Sequence, residues 1–310
     1  MTSASKDPVQ RPILLLGNTG QLGATLSPAL ARIGNLIATD RTVLDFSNPE
    51  HLRQAVCDYK PSVIVNAAAY TAVDKAESEP ELARAVNAAA PAALAQAARE
   101  TDALLIHYST DYVFDGSKAS AYVETDPVNP LNAYGRTKGE GEVAVQKSGC
   151  RHLIFRTSWV YSERGSNFLL TMLRLARQRD ELRIVNDQLG APTSTHSLAR
   201  ATAEIIHRYS AGGWPDGRNG LYHLTDSGST SWFGFAKTIL EQASKIFGTR
   251  IPRLIPITSA EYPTAARRPA NSILNCEKLK VTFEISMPKW ESSLDEVLNA
   301  VAAQLPVSAR

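Results

Sequence analysis

Short runs of consecutive apolar residues alternate with segments of helical spacing through the first half of the chain. Strands without polar alternation are buried on both faces, as in parallel sheets that helices cover on two sides. The pattern therefore predicts an α/β fold with a Rossmann-like, doubly wound parallel sheet. The predicted strands are 13–16, 36–39, 63–65, 104–106 and 153–155, and the predicted helices are 21–33, 49–59, 81–99 and 133–146. Pro91 is expected to kink or divide the third of these helices.

The regular alternation fades after Trp159, and proline and glycine accumulate at 211–220 and 252–269. The sequence thus predicts a sheet domain at 11–165 and a smaller C-terminal α/β domain at 166–310. The run 220–224 is typical of another buried strand. Residues 195–225 are therefore expected to return to the first domain, which makes the boundary interleaved.

Composition excludes several classes of function. Thirty-three basic residues against 31 acidic ones, without a long run of either sign, argue against a nucleic-acid partner. Three scattered cysteines without a Cys-x-x-Cys pair suit a reduced, cytoplasmic protein. The six histidines lack metal-ligand spacing, so no metal is expected. The first ten residues lack an apolar stretch and no long apolar run follows, so neither a secretion signal nor a membrane partner is expected.

A glycine-rich turn connects the first predicted strand to the first helix. Gly17, Gly20 and Gly23 form G-x-x-G-x-x-G, where a doubly wound sheet holds a dinucleotide pyrophosphate. An ordinary strand-to-helix turn is the alternative. Asp40, at the end of the second strand, can bind ribose hydroxyls and favours NADH, whereas Arg41 can meet the 2′-phosphate of NADPH. The cofactor is therefore predicted to be NADPH or NADH. Residues 11–165 are accordingly predicted to be the NAD(P)-binding domain and residues 166–310 the substrate-binding domain.

Tyr134 and Lys138 form a Tyr-x-x-x-Lys pair on one face of a predicted helix. An ammonium beside a phenol lowers the phenol pKa, which suits acid–base chemistry; a packed tyrosine beside a surface lysine is the alternative. The strand that ends at 107–112 brings hydroxyls to the carboxyl edge of the sheet, where Thr110 or Ser109 can donate to a substrate carbonyl. Together with the glycine turn, these features indicate a carbonyl reductase.

Longer segments resemble a known family. The segments are 17–23, 66–77, 109–114, 130–138, 156–161, 186–193 and 268–269. In order along nearly the whole chain, they resemble the dTDP-4-dehydrorhamnose reductases, an extended short-chain dehydrogenase/reductase family. The resemblance implies NAD(P)H-dependent reduction of the C4 ketone of dTDP-4-dehydro-L-rhamnose to dTDP-L-rhamnose, a step in nucleotide-sugar and polysaccharide biosynthesis.

The resemblance also implies roles for individual residues. Thr110, Tyr134 and Lys138 are expected to be catalytic. The expected cofactor-binding residues are Gly17, Thr19, Gly20, Gln21, Leu22, Gly23, Asp40, Asp45, Phe46, Ala67, Ala68, Ala69, Tyr70, Thr71, Tyr108, Tyr134 and Lys138. The expected substrate-binding residues are Thr110, Asp111, Trp159 and Arg268, with Arg268 on the diphosphate unless it is a surface arginine.

One departure from the family pattern concerns metal and assembly. Some members bind magnesium at a dimer interface through glutamates, one of them in the first helix, where this chain has Ala24, Thr25 and Leu26. That mode of dimerisation is therefore in doubt, although a homodimer stays open. Two other functions remain alternatives: a different nucleotide-sugar reductase or epimerase, and a non-catalytic protein like the regulatory subunit of methionine adenosyltransferase. Retention of Thr110, Tyr134 and Lys138 favours an enzyme.

Overall fold

The computed structural model describes residues 11–213, 217–248 and 250–304. The strands are β1 (Ile13–Leu16), β2 (Leu36–Thr39), β3 (Val63–Asn66), β4 (Leu104–Thr110), β5 (Arg151–Thr157), β6 (Val160–Tyr161), β7 (Glu181–Val185), β8 (Leu189–Gly190), β9 (Thr193–Ser194), β10 (Gly220–His223), β11 (Thr230–Ser231) and β12 (Arg253–Ile257). The α-helices are α1 (Gln21–Ala31), α2 (Pro49–Tyr59), α3 (Pro80–Arg84), α4 (Ala90–Glu100), α5 (Ala133–Lys147), α6 (Phe168–Gln178), α7 (Thr195–Gly212), α8 (Trp232–Phe247), α9 (Glu277–Phe283) and α10 (Trp290–Gln304).

Six parallel strands form the main sheet in the order β10-β5-β4-β3-β1-β2. Strands β1, β3 and β4 are buried at every position, as their uninterrupted apolar runs predicted. One apolar core packs α1, α7 and α9 on one face of the sheet, and a second packs α2 and α4 on the other. The predicted doubly wound parallel α/β fold is thereby confirmed.

Pro91 lies in the first turn of α4, directly after a π-helical segment, Ala85–Ala89, that joins α3 to α4. A proline has no N–H, so Pro91 cannot donate to the carbonyl of Asn87 four residues earlier, and the helical hydrogen-bond pattern changes there. The expected interruption of the alanine-rich helix therefore takes the form of a π-helical segment.

The chain leaves the main sheet after β5 and returns to it. Helix α7 packs against α1, and β10 pairs with β5 so that His223 lies beside Arg156. A third apolar core, formed by α6, β7, α8 and α10, lies in the C-terminal part, where β7 also pairs in parallel with β12. The division into a cofactor domain and a substrate domain stays a prediction. Of the helices that the structure describes, none has both the length and the hydropathy needed to cross a membrane.

Candidate active site

The glycine turn between β1 and α1 is tightly packed. Gly17 has a φ of +82°, and its N–H donates to the Thr39 carbonyl over 2.8 Å. A Cβ on Gly17 would lie 2.8 Å from the Ala68 nitrogen, and one on Gly23 would lie 2.0 Å from the Gly17 oxygen. Gly20 caps α1 without a side-chain hydrogen bond. The N-terminus of this helix therefore presents backbone N–H groups, which attract an anion such as a pyrophosphate.

Replacing Gly23 with alanine is expected to weaken dinucleotide binding at least 10-fold, because overpacking of about 1–3 kcal/mol must displace the turn. Titration of the purified variant with NADPH and NADH, followed by cofactor fluorescence, measures this loss. Gly139→Ala is the matched control, since its new Cβ would meet nothing closer than 3.9 Å. Equal affinity of Gly23→Ala and the unsubstituted protein would contradict the assignment of this turn.

Asp40 lies one residue beyond β2, beside the glycine turn. Its Oδ1 accepts hydrogen bonds from the Thr42 N–H at 2.8 Å and the Thr42 hydroxyl at 2.6 Å, which lower the pKa of the Asp40 carboxyl. Asp45 makes the same contacts with Ser47 and also has a lowered pKa. Phe46 is buried in the core between the sheet and α2. Both carboxylates are thus ionised and locally ordered near the position expected for the adenosine.

The loop that follows β3, residues 67–71, is held by two asparagines. The Ala68 N–H donates to Asn66 Oδ1 over 3.1 Å, and the Tyr70 N–H donates to Asn87 Oδ1 over 2.9 Å. Asn87 Nδ2 donates in turn to the Tyr70 carbonyl, at 3.1 Å, and to the Thr137 hydroxyl, at 3.3 Å. These bonds fix the loop to the helix that carries Tyr134. Sequence reasoning did not select Asn87, because its partners lie 17 and 50 residues away.

Tyr134 is in the first turn of α5 and is 9% exposed. Burial raises the pKa of its phenol, and a hydrogen bond with Thr110 partly opposes that rise. Thr110 ends β4, and its hydroxyl donates to Asp111 Oδ1 over 3.0 Å. Burial raises the pKa of the Asp111 carboxyl to about 6. The phenol, the threonine hydroxyl and the carboxyl therefore form one contiguous polar group at the carboxyl edge of the sheet.

Lys138, one turn after Tyr134, is almost fully buried. Its Nζ donates to the Tyr108 carbonyl over 2.6 Å and lies 3.5 Å from His107 Nε2. Burial lowers the pKa of this lysine to about 8. The expectation that Lys138 brings the Tyr134 pKa below its ordinary value is wrong for this structure, because desolvation of the phenol outweighs any stabilisation of the phenolate by the ammonium.

Neighbouring residues of β4 point to opposite faces of the sheet. The Tyr108 side chain packs in the core beneath α7 and its hydroxyl bonds Thr202 at 2.6 Å, so only its backbone contacts Lys138. Its expected role in cofactor binding stays a prediction. Ser109 faces α5 and its hydroxyl donates to Glu142. Of the two hydroxyls considered from sequence, Thr110 alone is therefore hydrogen-bonded to Tyr134 and Asp111.

A cavity of about 650 Å³ lies between α6, β7 and the segment that follows β12. Arg268 is in its wall and bonds Asp74 Oδ2 at 2.7 Å and the Tyr112 hydroxyl at 3.2 Å. The Tyr112 ring packs edge-on against Tyr134, with centroids 5.7 Å apart. Trp159, with a φ of +46°, stacks at 3.5 Å on Trp232, which lines the cavity. The cavity is therefore connected to Tyr134 through Tyr112 and Arg268.

Comparison with known proteins identifies the family. A family model described as the RmlD substrate binding domain matches residues 11–303. The dTDP-4-dehydrorhamnose reductase of Escherichia coli K12 is 50% identical over 292 residues, which are 93% of this chain and 97% of that protein. The chain belongs to the dTDP-4-dehydrorhamnose reductase family. The reductase of Burkholderia thailandensis is 47% identical over 285 residues, which are 90% of this chain and 95% of that one.

Solved structures of the family share this fold. The dTDP-4-dehydrorhamnose reductase of Bacillus anthracis, in complex with NADP, has a TM-score of 0.86 and 34% identity, and the match covers 94% of this chain and 99% of that one. The resemblance inferred from sequence motifs is thereby confirmed, as are the oxidoreductase class and a nicotinamide dinucleotide as the cofactor of the family.

The first helix of this reductase carries Thr25 in the segment where the sequence departs from the family pattern. The Thr25 hydroxyl donates to the Gln21 carbonyl over 3.2 Å and pairs with the Thr195 hydroxyl at 2.9 Å. Within residues 11–213, 217–248 and 250–304, no group of three or more histidine, cysteine, aspartate or glutamate side chains is arranged to hold a metal ion.

Proposed function

We propose that this chain uses NADPH or NADH to reduce the C4 ketone of dTDP-4-dehydro-L-rhamnose, giving dTDP-L-rhamnose. The observation that carries the proposal is the convergence of Tyr134, Thr110 and Lys138 at one edge of the sheet, between the glycine turn and a cavity bordered by Arg268. Ligands of open α/β sheets bind at this edge. The family membership of the chain supports the same reaction.

The residues at the glycine turn fit a dinucleotide. Gly17 and Gly23 leave no room for a Cβ, so the backbone itself forms the cradle. Asn18 Oδ1 and Thr39 Oγ1, next to the turn, are buried without hydrogen-bond partners in the structure. The segment from Gly17 to Gly23 would hold the pyrophosphate, Asp40 the adenosine ribose, and the loop 67–71 with Lys138 the nicotinamide end. When bound, the cofactor supplies the hydride that adds to C4.

Side chains of the protein donate the proton and stabilise the negative charge that forms during the reduction. Because burial raises the pKa of Tyr134, the phenol stays protonated at neutral pH and can donate to the ketone oxygen as negative charge develops there. Thr110, which contacts both Tyr134 and Asp111, orients that oxygen. The Lys138 ammonium, one helical turn from Tyr134, stabilises the phenolate that remains after proton donation.

The cavity that Arg268 borders suits the nucleotide part of the substrate. Arg268 offers a planar guanidinium that can bind diphosphate oxygens at two points after exchanging its contact with Asp74. Trp159 and Trp232 present stacked aromatic faces near this space, against which a sugar ring or a base can pack. Asp111 Oδ2 is buried without a hydrogen-bond partner in the structure and would accept hydrogen bonds from sugar hydroxyls.

The test of the proposal is NADPH and NADH oxidation with dTDP-4-dehydro-L-rhamnose, with the product identified by mass and NMR. We expect stoichiometric cofactor oxidation and dTDP-L-rhamnose. A panel of other nucleotide keto sugars distinguishes the alternatives: faster turnover of another ketone would identify a different reductase, and sugar inversion without net cofactor consumption would identify an epimerase. Copurification with a methionine adenosyltransferase, together with no ketone reduction, would indicate the regulatory-subunit alternative.

Replacing Arg268 with lysine is expected to raise KM for the nucleotide sugar by about 10-fold or more, because a point charge cannot reproduce two-point binding of a diphosphate. Steady-state kinetics at saturating cofactor measure the change. Arg267→Lys is the matched control, since the Arg267 side chain is exposed and next in sequence. Equal KM values for the two variants would show that Arg268 does not bind the substrate.

Assembly and location stay predictions. The family resemblance leaves a homodimer open, which light scattering of the purified protein would decide. The cytoplasmic location inferred from cysteine usage is tested by fractionation of the source cells.

A further inference from the structure

A chain of buried polar groups runs behind Lys138 and ends at the loop expected to hold the cofactor. Asn66 on β3 is the register partner of His107 on β4, and the Asn66 Nδ2 atom lies 3.1 Å from His107 Nδ1. His107 Nε2 lies 3.5 Å from Lys138 Nζ, and the three side chains are at most 1% exposed. Neither Asn66 nor His107 has a role in the mechanism proposed above for the reduction.

Hydrogen bonding fixes the orientation of the Asn66 amide. Its Oδ1 accepts the Ala68 N–H over 3.1 Å, so Nδ2 is the atom directed at His107. An amide nitrogen can only donate, and therefore His107 Nδ1 must be the unprotonated, accepting nitrogen. Burial lowers the pKa of His107, so the ring is neutral and carries its proton on Nε2. The N–H of His107 thus faces Lys138.

This tautomer disfavours the charged form of the lysine. An ammonium has three donors and no acceptor, so its hydrogens oppose the His107 Nε2–H, whereas a neutral amine can accept from it. The other groups around Lys138 act differently. The Tyr108 carbonyl of β4 accepts from Nζ, and Glu142, one turn later on α5, favours the ammonium. Glu142 is itself paired with Arg156 of β5, and Tyr134 is the remaining titratable neighbour on α5.

We propose that His107 is a positioning residue for the reduction: held by Asn66 in its Nε2–H tautomer, it opposes the ammonium form of Lys138 and so sets the pH above which reduction fails. This inference rests on the proposed function, because it assumes that charged Lys138 is needed for proton donation by Tyr134. Asn66 also accepts a hydrogen bond from the Ala68 N–H, so the residue that orients His107 also holds the loop at the cofactor site.

The tautomer can be read directly. In protein labelled with ¹⁵N-histidine, two-bond proton–nitrogen NMR correlations distinguish Nε2–H, Nδ1–H and imidazolium rings, and the His107 signal is assigned by its disappearance in His107→Leu. We expect a neutral Nε2–H ring between about pH 6 and 9, since a fully buried imidazole resists protonation. A His107 ring that is charged or carries its proton on Nδ1 would overturn the proposal, whatever the activity of the protein.

The pH profile gives the functional test. The rate of reduction is expected to fall as pH rises through the pKa of Lys138, near 8, because the ammonium is present below that value and lost above it. In Asn66→Asp the carboxylate must accept from His107, which forces the Nδ1–H tautomer and turns an accepting Nε2 toward Lys138. The falling limb of kcat/KM should then move to higher pH by roughly 1, since both the new acceptor and the new charge favour the ammonium.

Asn299→Asp, an exposed position on α10, is the matched control and should keep the original profile. A lower rate for Asn66→Asp without displacement of the falling limb would reduce Asn66 and His107 to a structural role and overturn the inference. If Asn66→Asp does not fold, the His107 tautomer measured in the unsubstituted protein still tests the proposal. Failure of the unsubstituted protein to reduce the ketone would instead disprove the proposed function. The NMR measurement of the His107 tautomer does not depend on activity, so the two failures can be distinguished.

Discussion

Replacement of Tyr134 by phenylalanine is expected to lower kcat for ketone reduction by about 10² to 10⁴, the usual contribution of a positioned general acid. The substitution keeps the ring that packs edge-on against Tyr112 and removes only the phenol hydroxyl, which carries the transferable proton. Single-turnover oxidation of bound NADPH, followed by absorbance, measures the chemical step. Cofactor affinity should fall far less than kcat, because the substitution removes only one of the expected cofactor contacts and leaves the backbone groups of the glycine turn untouched.

Tyr222→Phe is the matched control for this substitution. Tyr222 is also buried, but it lies on β10 and its hydroxyl donates to the Arg218 carbonyl over 2.9 Å. Its turnover should equal that of the unsubstituted protein. Full turnover in Tyr134→Phe would mean that another group donates the proton, and Thr110 with its partner Asp111 would be the next pair to substitute.

Replacement of Arg156 by leucine is expected to lower the free energy of unfolding by about 3–5 kcal/mol, because it leaves a carboxylate buried without its partner. Arg156 binds Glu142 at two points, 2.9 Å from Nε to Oε1 and 2.6 Å from Nη2 to Oε2, and both side chains are 4% exposed. The Ser109 hydroxyl also donates to Glu142. Urea unfolding followed by circular dichroism measures the difference.

Two further variants separate charge burial from loss of packing. The double variant Arg156→Leu with Glu142→Leu should recover much of the lost stability, because no unpaired charge remains. Arg84→Leu removes one partner of the exposed Arg84–Glu140 pair and should cost no more than about 1 kcal/mol. If Arg156→Leu lowered the free energy of unfolding no more than Arg84→Leu does, water would have to reach Glu142 in the native protein.

The main sheet was predictable because burial on both faces leaves a local signal. The runs at 13–16, 63–65 and 104–106 are apolar without alternation, and all three are strands of the sheet. The C-terminal part left no such signal. Strands β6, β8, β9 and β11 have two residues each, too few to show a period, and β12 lies in a stretch that its prolines made typical of a loop.

The site was predictable where a motif is local and not where it depends on contacts between distant segments. Tyr134 and Lys138 are four residues apart on one helix, so their spacing indicated the pair. His107 and Lys138 are 31 residues apart, and Asn66 and His107 are 41 apart. Residue alternation along β4 could have placed His107 on the face of Ser109, but only the register of the strands and the packing of α5 reveal what each one touches.

The return of the chain to the main sheet limits how this reductase can be recombined with its relatives. Strand β5 has β10 as its outer neighbour, and β10 follows β6 to β9 in sequence. A chimera with one crossover near residue 160 would therefore combine five strands from one parent with an edge strand and α7 from the other. Exchange of substrate preference between homologues would need at least two crossovers, placed so that the sheet and its covering helices keep a common origin.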